Sequence, residues 1–372
     1  MAHYQDAVST TPASLPRPAL VRMIRLVRTL HRLSHLPAYR QLVESQVPET
    51  ARFDPGHDAV MMGYDFHLAP TGPQLIEVNT NAGGGLLAYL AQVPGSVLAG
   101  NPLPTRLKNQ LLTSFAAEMR AFSDGRSDRP RRIAILDERP EEQYLYGEME
   151  AFAELFTANW GVPTIIRDPS GLDGGPEGVY SDGLPVDLIY NRHCDFYLER
   201  PELAGLRAAY RAKTVCLTPN PFVYGLLADK RRLVLWSDPV TLAKVGLPQR
   251  DVELITALVP VSRLLANGDP EDFWTRRDDL VFKPVSRFGS RGVLLGRKIS
   301  RSRFNTLLSE ETLVQQLVPP SLTPADGQEP FKTDFRLYAY RNQVLGVAAR
   351  LYHGQVTNLR TPGGGFAAVR LV

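Results

Sequence analysis

Residues 63–85 read Gly-Tyr-Asp-Phe-His-Leu-Ala-Pro-Thr-Gly-Pro-Gln-Leu-Ile-Glu-Val-Asn-Thr-Asn-Ala-Gly-Gly-Gly, and the two alternating apolar runs around a Pro-Thr-Gly-Pro turn predict a β-hairpin. Residues two apart in a strand share a face, so Glu77 and Asn79 point the same way, and Asp65 on the partner strand can lie across from them. Two carboxylates and an amide oxygen on one face suit a hard cation that keeps several waters and binds phosphate. A solvated hairpin face is the alternative for this stretch taken alone.

The composition is typical of a globular protein with mixed helix and strand signals. A chain of 372 residues is expected to form two or three structural units. With 42 Lys and Arg against 39 Asp and Glu, the net charge of +3 is too weak to indicate nucleic acid or an acidic membrane as a partner. No apolar run approaches the ~18 residues that span a bilayer. Two cysteines, Cys194 and Cys216, imply no disulfide framework and fit a reducing cytoplasm.

The basic segment over residues 20–36 predicts an amphipathic helix, because apolar residues recur on one face with arginines between them. The apolar residues of that face are Leu20, Ile24, Val27 and Leu30. His31 and His35 lie one turn apart on the same helix, but no third metal ligand follows them in the sequence. This favours a surface pair over a metal site.

Three parts are predicted along the chain. Residues 1–128 hold the basic helix, the acidic hairpin and a second helix over residues 105–122. Residues 129–222 form an α/β unit, and residues 223–372 carry the remaining motifs.

The α/β unit is predicted from short buried-strand patterns that bracket a helix, the arrangement of a parallel sheet. These patterns fall at residues 132–137, 161–166, 186–190 and 214–218. The Gly/Pro-rich run over residues 168–185 predicts a surface loop. No G-x-G-x-x-G follows the first strand, so dinucleotide binding is not supported. Arg192 is a candidate anchor for a substrate carboxylate, with a solvated loop arginine as the alternative.

Two motifs of the third part are typical of phosphate binding. Lys283 ends a short buried strand, and glycines in the loop after it let backbone N–H groups turn toward an anion while hydroxyls add donors. The loop residues concerned are Ser286, Gly289, Ser290 and Gly292. Lys230 opens a helical stretch, where a positive charge is unfavourable unless an anion offsets it. The alternatives are a common β-turn and a solvated run of charges.

Arg336 and Arg350 are predicted to lie on successive strands around a turn at residues 341–343, and Asn358 follows them. Paired guanidinium groups near a carboxylate-bound metal form a plausible clamp for a phosphoryl group and a substrate carboxylate. Two exposed strand arginines are the alternative.

Together these motifs resemble the ATP-grasp superfamily, and their order resembles its circularly permuted members such as glutathionylspermidine synthase. The family's last motif, Asp…Glu-x-Asn, corresponds to Asp65, Glu77 and Asn79, which here precede the α/β unit, while the other motifs follow in the family's usual order. The resemblance implies an α/β (α+β) ATP-grasp fold, circularly permuted, with a Rossmann-like pre-ATP-grasp α/β domain.

The same resemblance implies ATP and Mg²⁺ as cofactors and assigns roles to the motif residues. Metal binding falls to Asp65, Glu77 and Asn79; triphosphate binding to Lys230, Lys283, Ser286, Gly289, Ser290 and Gly292; adenine binding to a hinge of Gln315, Gln316 and Val318; and catalysis to Arg336, Arg350 and Asn358. Gln316 stands where many members carry Glu, which weakens the prediction of a side-chain contact there.

The implied activity is an ATP-dependent ligase that joins a carboxylate to an amine through an acyl phosphate. The expected substrates are small amino acids, peptides or polyamines in the cytoplasm, with no nucleic-acid or membrane partner. A small-molecule kinase and a non-catalytic ATP-binding module are the alternatives. The identity of the substrates, the pathway and the oligomeric state stay open.

Overall fold

The computed structural model describes residues 7–93, 103–285, 292–325 and 327–372. Within these ranges, none of the helices combines the length and apolar character that a membrane span needs. Three residues of the predicted phosphate loop, Ser286, Gly289 and Ser290, lie outside the described residues.

Strands in the described ranges are mostly short. They are β1 (Ala13–Leu15), β2 (Met62–Ala69), β3 (Gly72–Asn79), β4 (Ile133–Leu136), β5 (Thr164–Arg167), β6 (Asp173–Gly175), β7 (Gly178–Ser181), β8 (Leu184–Val186), β9 (Leu188–Asn191), β10 (Cys216–Thr218), β11 (Ser262–Leu264), β12 (Leu280–Pro284), β13 (Leu294–Leu295), β14 (Thr312–Gln316), β15 (Ser321–Ala325), β16 (Gln328–Tyr340), β17 (Gln343–Tyr352), β18 (Gly365–Ala367) and β19 (Val369–Leu371).

Helices surround these strands, and short 3₁₀ turns connect several of them. The α-helices are α1 (Arg17–Ser34), α2 (Pro37–Glu44), α3 (Glu49–Arg52), α4 (Gly85–Gln92), α5 (Thr105–Phe122), α6 (Tyr146–Trp160), α7 (Ala204–Arg211), α8 (Pro221–Val223), α9 (Arg232–Trp236), α10 (Pro239–Lys244), α11 (Gln249–Leu258), α12 (Pro270–Thr275) and α13 (Arg301–Leu307). A π-helical turn, Tyr224–Ala228, lies between α8 and α9.

The largest sheet joins the two ends of the chain. Its order is β18-β17-β16-β2-β3, with β15 also paired to β16, so the acidic hairpin extends a sheet built from C-terminal strands. Helix α1 packs on this sheet: Val27 and Leu30 are fully buried in the same apolar core as Phe335 and Leu337 of β16. The amphipathic pattern of residues 20–36 is therefore confirmed, and residues 105–122 form the predicted second helix, α5.

A second sheet, ordered β10-β9-β4-β5, is parallel throughout and confirms the predicted α/β unit. Strand β4, helix α6 and strand β5 form a βαβ unit, and every residue of β4 is buried. The chain then crosses to the other side of β4 to form β9, so the strand order reverses between β4 and β9. Ligands of open α/β sheets bind outside the carboxyl ends of strands at such a reversal.

The prediction of a plain surface loop over residues 168–185 is wrong. This run forms a 3₁₀ turn and the antiparallel strands β6, β7 and β8 of a three-stranded sheet. Close packing requires one of the glycines in this run. A Cβ on Gly174 would lie 2.7 Å from the backbone of Gly205 at the start of α7. Its glycines thus serve close packing as well as turning.

A third sheet, ordered β11-β14-β12-β13, is antiparallel and carries Lys283 on β12 and Gln315 on β14. This sheet contacts the acidic hairpin: Lys283 Nζ donates to the backbone oxygen of Ile76 on β3.

Candidate functional site

The acidic hairpin brings its three predicted metal ligands together. Asp65 lies directly opposite Glu77, and Gly63 lies opposite Asn79. The register shifts after Asp65, so that Ile76 forms a bulge beside Glu77. The Asn79 amide Nδ2 donates to Asp65 Oδ2 and to Glu77 Oε1, both at 3.2 Å. Strand alternation thus places these side chains as the sequence predicts.

Asp65 is held by both predicted catalytic arginines. Arg336 stands opposite it across the β2–β16 pair and donates from Nε to Oδ1 at 2.6 Å and from Nη2 to Oδ2 at 2.7 Å. Arg350 Nη2 lies 2.9 Å from the same Oδ2. Burial alone would raise the pKa of Asp65, but the charges of Arg336 and Arg350 outweigh it and hold this pKa well below its usual range. The carboxylate is therefore ionised and its lone pairs are engaged.

Asp334 belongs to the same cluster, although the sequence analysis did not select it. It is buried opposite Arg350, accepts from Arg350 Nε at 2.6 Å, and accepts from the Thr357 hydroxyl at 2.6 Å. The signal was present, because Asp334 precedes Arg336 by two residues on one strand and so shares its face. Two carboxylates and two guanidinium groups consequently alternate across the middle of this sheet.

Two lysines approach the hairpin from other elements. Lys283 Nζ donates to Ile76 O at 3.0 Å and to Gln315 Oε1 at 2.7 Å. Burial lowers the pKa of Lys283 to about 8, Glu77 opposes this shift, and the charge of Lys230 adds to it. Lys230 lies in the turn before α9, and burial lowers its pKa as well. Helix α9 begins at Arg232, so Lys230 precedes the helix rather than opening it.

Several hydrogen-bonding groups of the predicted adenine hinge already have partners within the protein. The Gln315 carboxamide is buried between Lys283 and Ser262, so its side chain positions the lysine. The N–H groups of Gln316 and Leu317 donate to Val261 O and Asp279 O at 2.9 Å and 2.8 Å.

Val318 O at the end of this segment accepts from His67 Nδ1 at 2.6 Å. The Gln316 side chain is exposed. Any adenine contact along the hinge therefore has to exchange with one of these hydrogen bonds or use the remaining backbone groups.

A cavity of about 90 Å³ lies between the hairpin and the third sheet. Its charged lining comprises Asp65, Glu77, Lys283, Asp334 and Arg350, and its apolar wall includes Val281, Leu295 and Tyr352. Ligand pockets usually measure about 300–1,000 Å³, so a nucleotide needs this cleft to widen. The lining carries three carboxylates and two cations, and two further cations lie next to it, because the charge of Lys230 acts on Lys283 and Arg336 pairs with Asp65.

The last two predicted site residues in the described ranges are Gly292 and Asn358. Gly292 has φ 78°, the left-handed region that suits glycine in an anion-binding turn. Asn358 accepts the Arg360 backbone N–H on Oδ1 at 3.0 Å, which closes a turn after β17, and it does not line the cavity. Its predicted catalytic role stays a prediction.

The donor set of the hairpin fits Mg²⁺ after one rearrangement. Carboxylate and carboxamide oxygens are the ligands this ion prefers. Asp65 Oδ2 accepts from Asn79 and Arg336 and pairs with Arg350, whereas Oδ1 accepts from Arg336 Nε, so the contacts crowd onto Oδ2. If Asn79 turns its amide oxygen inward in place of its nitrogen, one lone pair of Asp65 becomes free and all three residues present oxygen.

A single glycine links this cluster to the strand ends of the parallel sheet. Gly83 O accepts from Arg336 Nη1 at 3.3 Å and from the Tyr338 hydroxyl at 3.0 Å. A Cβ on Gly83 would lie 2.4 Å from Arg192 Nη2, so a larger residue there would displace the Arg192 side chain.

Arg192 is not a solvated loop residue. It is buried, and its Nη1 donates to Glu148 Oε2 at 3.2 Å. Asp137 lies close by at the end of β4, and burial raises its pKa to about 6 even though the Arg192 charge lowers it. The reversal between β4 and β9 thus brings one buried cation and two acidic groups together beside the Arg336 cluster.

Comparisons with known proteins give a fold but no sequence family. No protein-family model matches the chain, and no curated protein is similar to it in sequence. A solved glutathione synthetase-like effector from Globodera pallida aligns over 98% of this chain and 90% of its own, with a TM-score of 0.59 and 11% identity. A candidate gamma-glutamylcysteine synthetase from Methylobacillus flagellatus aligns over 92% of this chain and 86% of its own, with a TM-score of 0.52 and 13% identity.

Both alignments span nearly the whole chain, whereas the ATP-grasp ligase PsnB reaches a TM-score of only 0.36, too low to support an argument. At 11% and 13% identity the two longer matches establish architecture alone. This chain therefore has a mixed α/β fold similar to that of the glutathione synthetase-like effector and of the candidate gamma-glutamylcysteine synthetase.

Proposed function

We propose that this protein is an ATP-dependent ligase that joins a carboxylate to an amine through an acyl phosphate. The observation that carries the proposal is the convergence of Asp65 and Glu77 with Lys283 and Arg350 around one cavity, which Arg336 joins through its pair with Asp65. A triphosphate needs this combination of cations, and a phosphate-bound divalent ion needs the adjacent carboxylates.

The nucleotide is placed by lysines and an apolar wall. Lys283 and Lys230 neutralise phosphate oxygens, while Val281, Leu295 and Tyr352 offer a surface for the base. Mg²⁺ bound by Asp65, Glu77 and Asn79 would supply charge neutralisation between the β- and γ-phosphates.

Arg336 and Arg350 act on the transferring phosphoryl group. Charge spreads over its oxygens in the transition state, so positioned guanidinium groups lower the barrier. A substrate carboxylate oxygen attacks the γ-phosphorus, the bond to the β-phosphate oxygen breaks and ADP leaves. An amine nitrogen then attacks the acyl carbon, loses a proton, and inorganic phosphate leaves as the amide forms.

The shared pairing of Arg336 and Arg350 with Asp65 supports a step in which the two arginines are released. Asp65 pairs with both of them, and Asp334 also pairs with Arg350. If Asp65 held a divalent cation, its lone pairs would be shared with that cation, and Arg336 and Arg350 would then turn toward phosphate oxygens. The protein thereby avoids an uncompensated buried charge in either state.

The acceptor is proposed to bind at the crevice between β4 and β9. Arg192 lies one glycine away from the Arg336 cluster and carries the charge that a substrate carboxylate needs. Amino acids, short peptides and polyamines fit this mixture of cation and acidic groups. The division into residues 1–128, 129–222 and 223–372, and the circularly permuted motif order, belong to the same proposal.

The test is mass spectrometry of the products after incubation with ATP, Mg²⁺ and pooled amino acids, small peptides and polyamines. A ligase yields ADP, phosphate and a new mass equal to the two substrates minus one water. A stable phosphorylated product without an amine would identify a kinase instead. Nucleotide binding without any product over the whole pool would overturn the ligase proposal and leave a binding module.

A further inference from the structure

We propose that His31, His35 and Asp58 form a binding site for a first-row divalent cation of the Zn²⁺ class, outside the nucleotide site. His31 lies in the last turn of α1, His35 follows the helix end, and Asp58 lies between α3 and β2. Helical spacing alone favours a surface pair, because no third metal ligand follows the two histidines in the sequence. The fold supplies one, and the three ligand atoms all lie within 4.8 Å of one another.

The distances indicate a gap of the right size for a metal ion. His31 Nε2 and His35 Nε2 are each 3.7 Å from the same oxygen, Asp58 Oδ1. That separation is too long for a hydrogen bond. Zinc bonds of about 2.0–2.2 Å at tetrahedral angles place two ligand atoms about 3.4 Å apart, so a small side-chain rotation closes the site.

The second ring nitrogen of His35 is arranged as metal ligands require. Its Nδ1 lies 2.8 Å from the backbone oxygen of His31 and donates to it, which leaves the lone pair on Nε2. His31 Nε2 is buried and has no hydrogen-bond partner among the described residues. The lone pairs of His31 Nε2 and His35 Nε2 would repel those of Asp58 Oδ1 unless a proton or a metal ion lies between them.

Asp58 is supported by contacts that leave Oδ1 available. Its other oxygen, Oδ2, pairs with Arg341 Nε at 2.8 Å, and its backbone oxygen accepts from Asn220 Nδ2 at 2.8 Å. Ligating carboxylates are commonly oriented by such outer contacts.

The donor atoms and the neighbouring charges determine which metal ion the site prefers and how tightly it binds. Two imidazoles and one carboxylate are a donor set that Zn²⁺ and Co²⁺ accept, with a fourth position left for water. His35 is 44% exposed, so the site is accessible from solvent. Arg341 beside Asp58 adds positive charge, and we therefore expect micromolar rather than nanomolar affinity.

The site would join three parts of the chain. Helix α1, the segment before β2 and, through Arg341, the turn between β16 and β17 all meet at Asp58. A bound ion would therefore stabilise the folded arrangement of these three parts against unfolding. None of its three ligands lines the nucleotide cavity.

Titration of the full-length protein with Co²⁺ by absorption spectroscopy and with Zn²⁺ by calorimetry tests the site without ATP. We expect one ion per chain, visible ligand-field bands, and a Tm that rises with Zn²⁺. His35→Ala removes a ligand from an exposed position and should weaken binding by more than the roughly 10–100-fold that outer contacts usually contribute. Arg25→Ala, at an exposed position on the same helix, should bind like the wild type.

Two results would overturn the proposal. One is a wild-type protein that binds neither ion at micromolar concentration. The other is equal binding by the wild type, His35→Ala and Asp58→Asn, which would mean an adventitious ion only. Neither result bears on the ligase proposal, since the nucleotide site shares no residue with this cluster.

Discussion

Two arginine–carboxylate pairs in this protein have nearly the same geometry and very different surroundings. Arg336 and Asp65 form two parallel hydrogen bonds of 2.6 Å and 2.7 Å inside the large sheet. Arg231 and Glu311 form two of 2.7 Å at the surface. Asp65 is 2% exposed as a residue, whereas the Glu311 side chain is 46% exposed.

The difference shows that solvent, rather than hydrogen-bond geometry, sets what each pair contributes. Removal of one partner of a buried pair leaves an uncompensated charge and costs about 3–5 kcal/mol. An exposed pair contributes about 0–1 kcal/mol, because water replaces the lost partner. Only the buried pair, moreover, gives the protein a charge that ligand binding can redirect.

Asp65→Asn should have the largest effect. We expect ATP turnover to fall roughly 10³-fold or more, because the cation and both arginines lose their shared carboxylate. The free energy of unfolding should fall by about 3–5 kcal/mol. Phosphate release and urea unfolding measure the two effects, and full turnover by this variant would disprove the metal assignment.

Asp334→Asn should have a smaller effect on stability than Asp65→Asn. Arg350 keeps its contact with Asp65, so the variant loses charge-assisted bonds to Arg350 and Thr357 without isolating a cation. We expect a loss of about 1.5–3 kcal/mol in urea unfolding. A loss equal to that of Asp65→Asn would show that the two carboxylates act as one unit.

Lys283→Met tests the buried lysine that contacts the hairpin. We expect nucleotide binding to weaken roughly tenfold to a hundredfold, the value of one hydrogen bond to a charged group. In the wild type, binding should also weaken as pH rises through about 8, because Lys283 then loses its proton. Calorimetry on either side of that pH should show this dependence in the wild type and not in the variant.

The same lysine should affect stability with the opposite sign. Its pKa of about 8 in the folded protein lies below the ordinary value of 10.5, so the unfolded chain binds more protons between these values. Stability relative to Lys283→Met should therefore rise with pH across this window. A flat difference in unfolding free energy would mean that Lys283 is not desolvated.

Glu311→Gln should have the smallest effect and is the matched control for Asp65→Asn. Arg231 keeps a 2.7 Å contact with Asp229 Oδ2, so we expect at most about 1 kcal/mol in urea unfolding and unchanged phosphate release. A larger loss would show that the surface pair supports the position of Lys230, which precedes Arg231 in the same turn.

Much of the site was accessible from the sequence where its signals are local. Strand alternation predicted that Glu77 and Asn79 share a face, and the same rule applied to residues 334–336 identifies Asp334. The helical spacing of residues 20–30 predicted which face of α1 is buried.

Other features depended on contacts that no short pattern records. The Gly/Pro-rich run over residues 168–185 lacked apolar alternation, yet it forms a sheet that packs against α7. Arg192 directly follows a strand, a position that in the sequence is equally compatible with a solvated loop arginine, but the fold buries it against Glu148. His31 and His35 lacked a third ligand until Asp58, from a different element, was placed beside them.

Residue order was enough to establish which side chains share a face and which segments carry charge, because periods of two and of about 3.6 residues follow from backbone geometry alone. It could not establish which opposite charges meet. Asp65 and Arg336 are 271 residues apart, and their pairing depends on the register between β2 and β16 and on the apolar core beneath it. The folded chain also excludes water from that pair, and this exclusion gives its charges their strength.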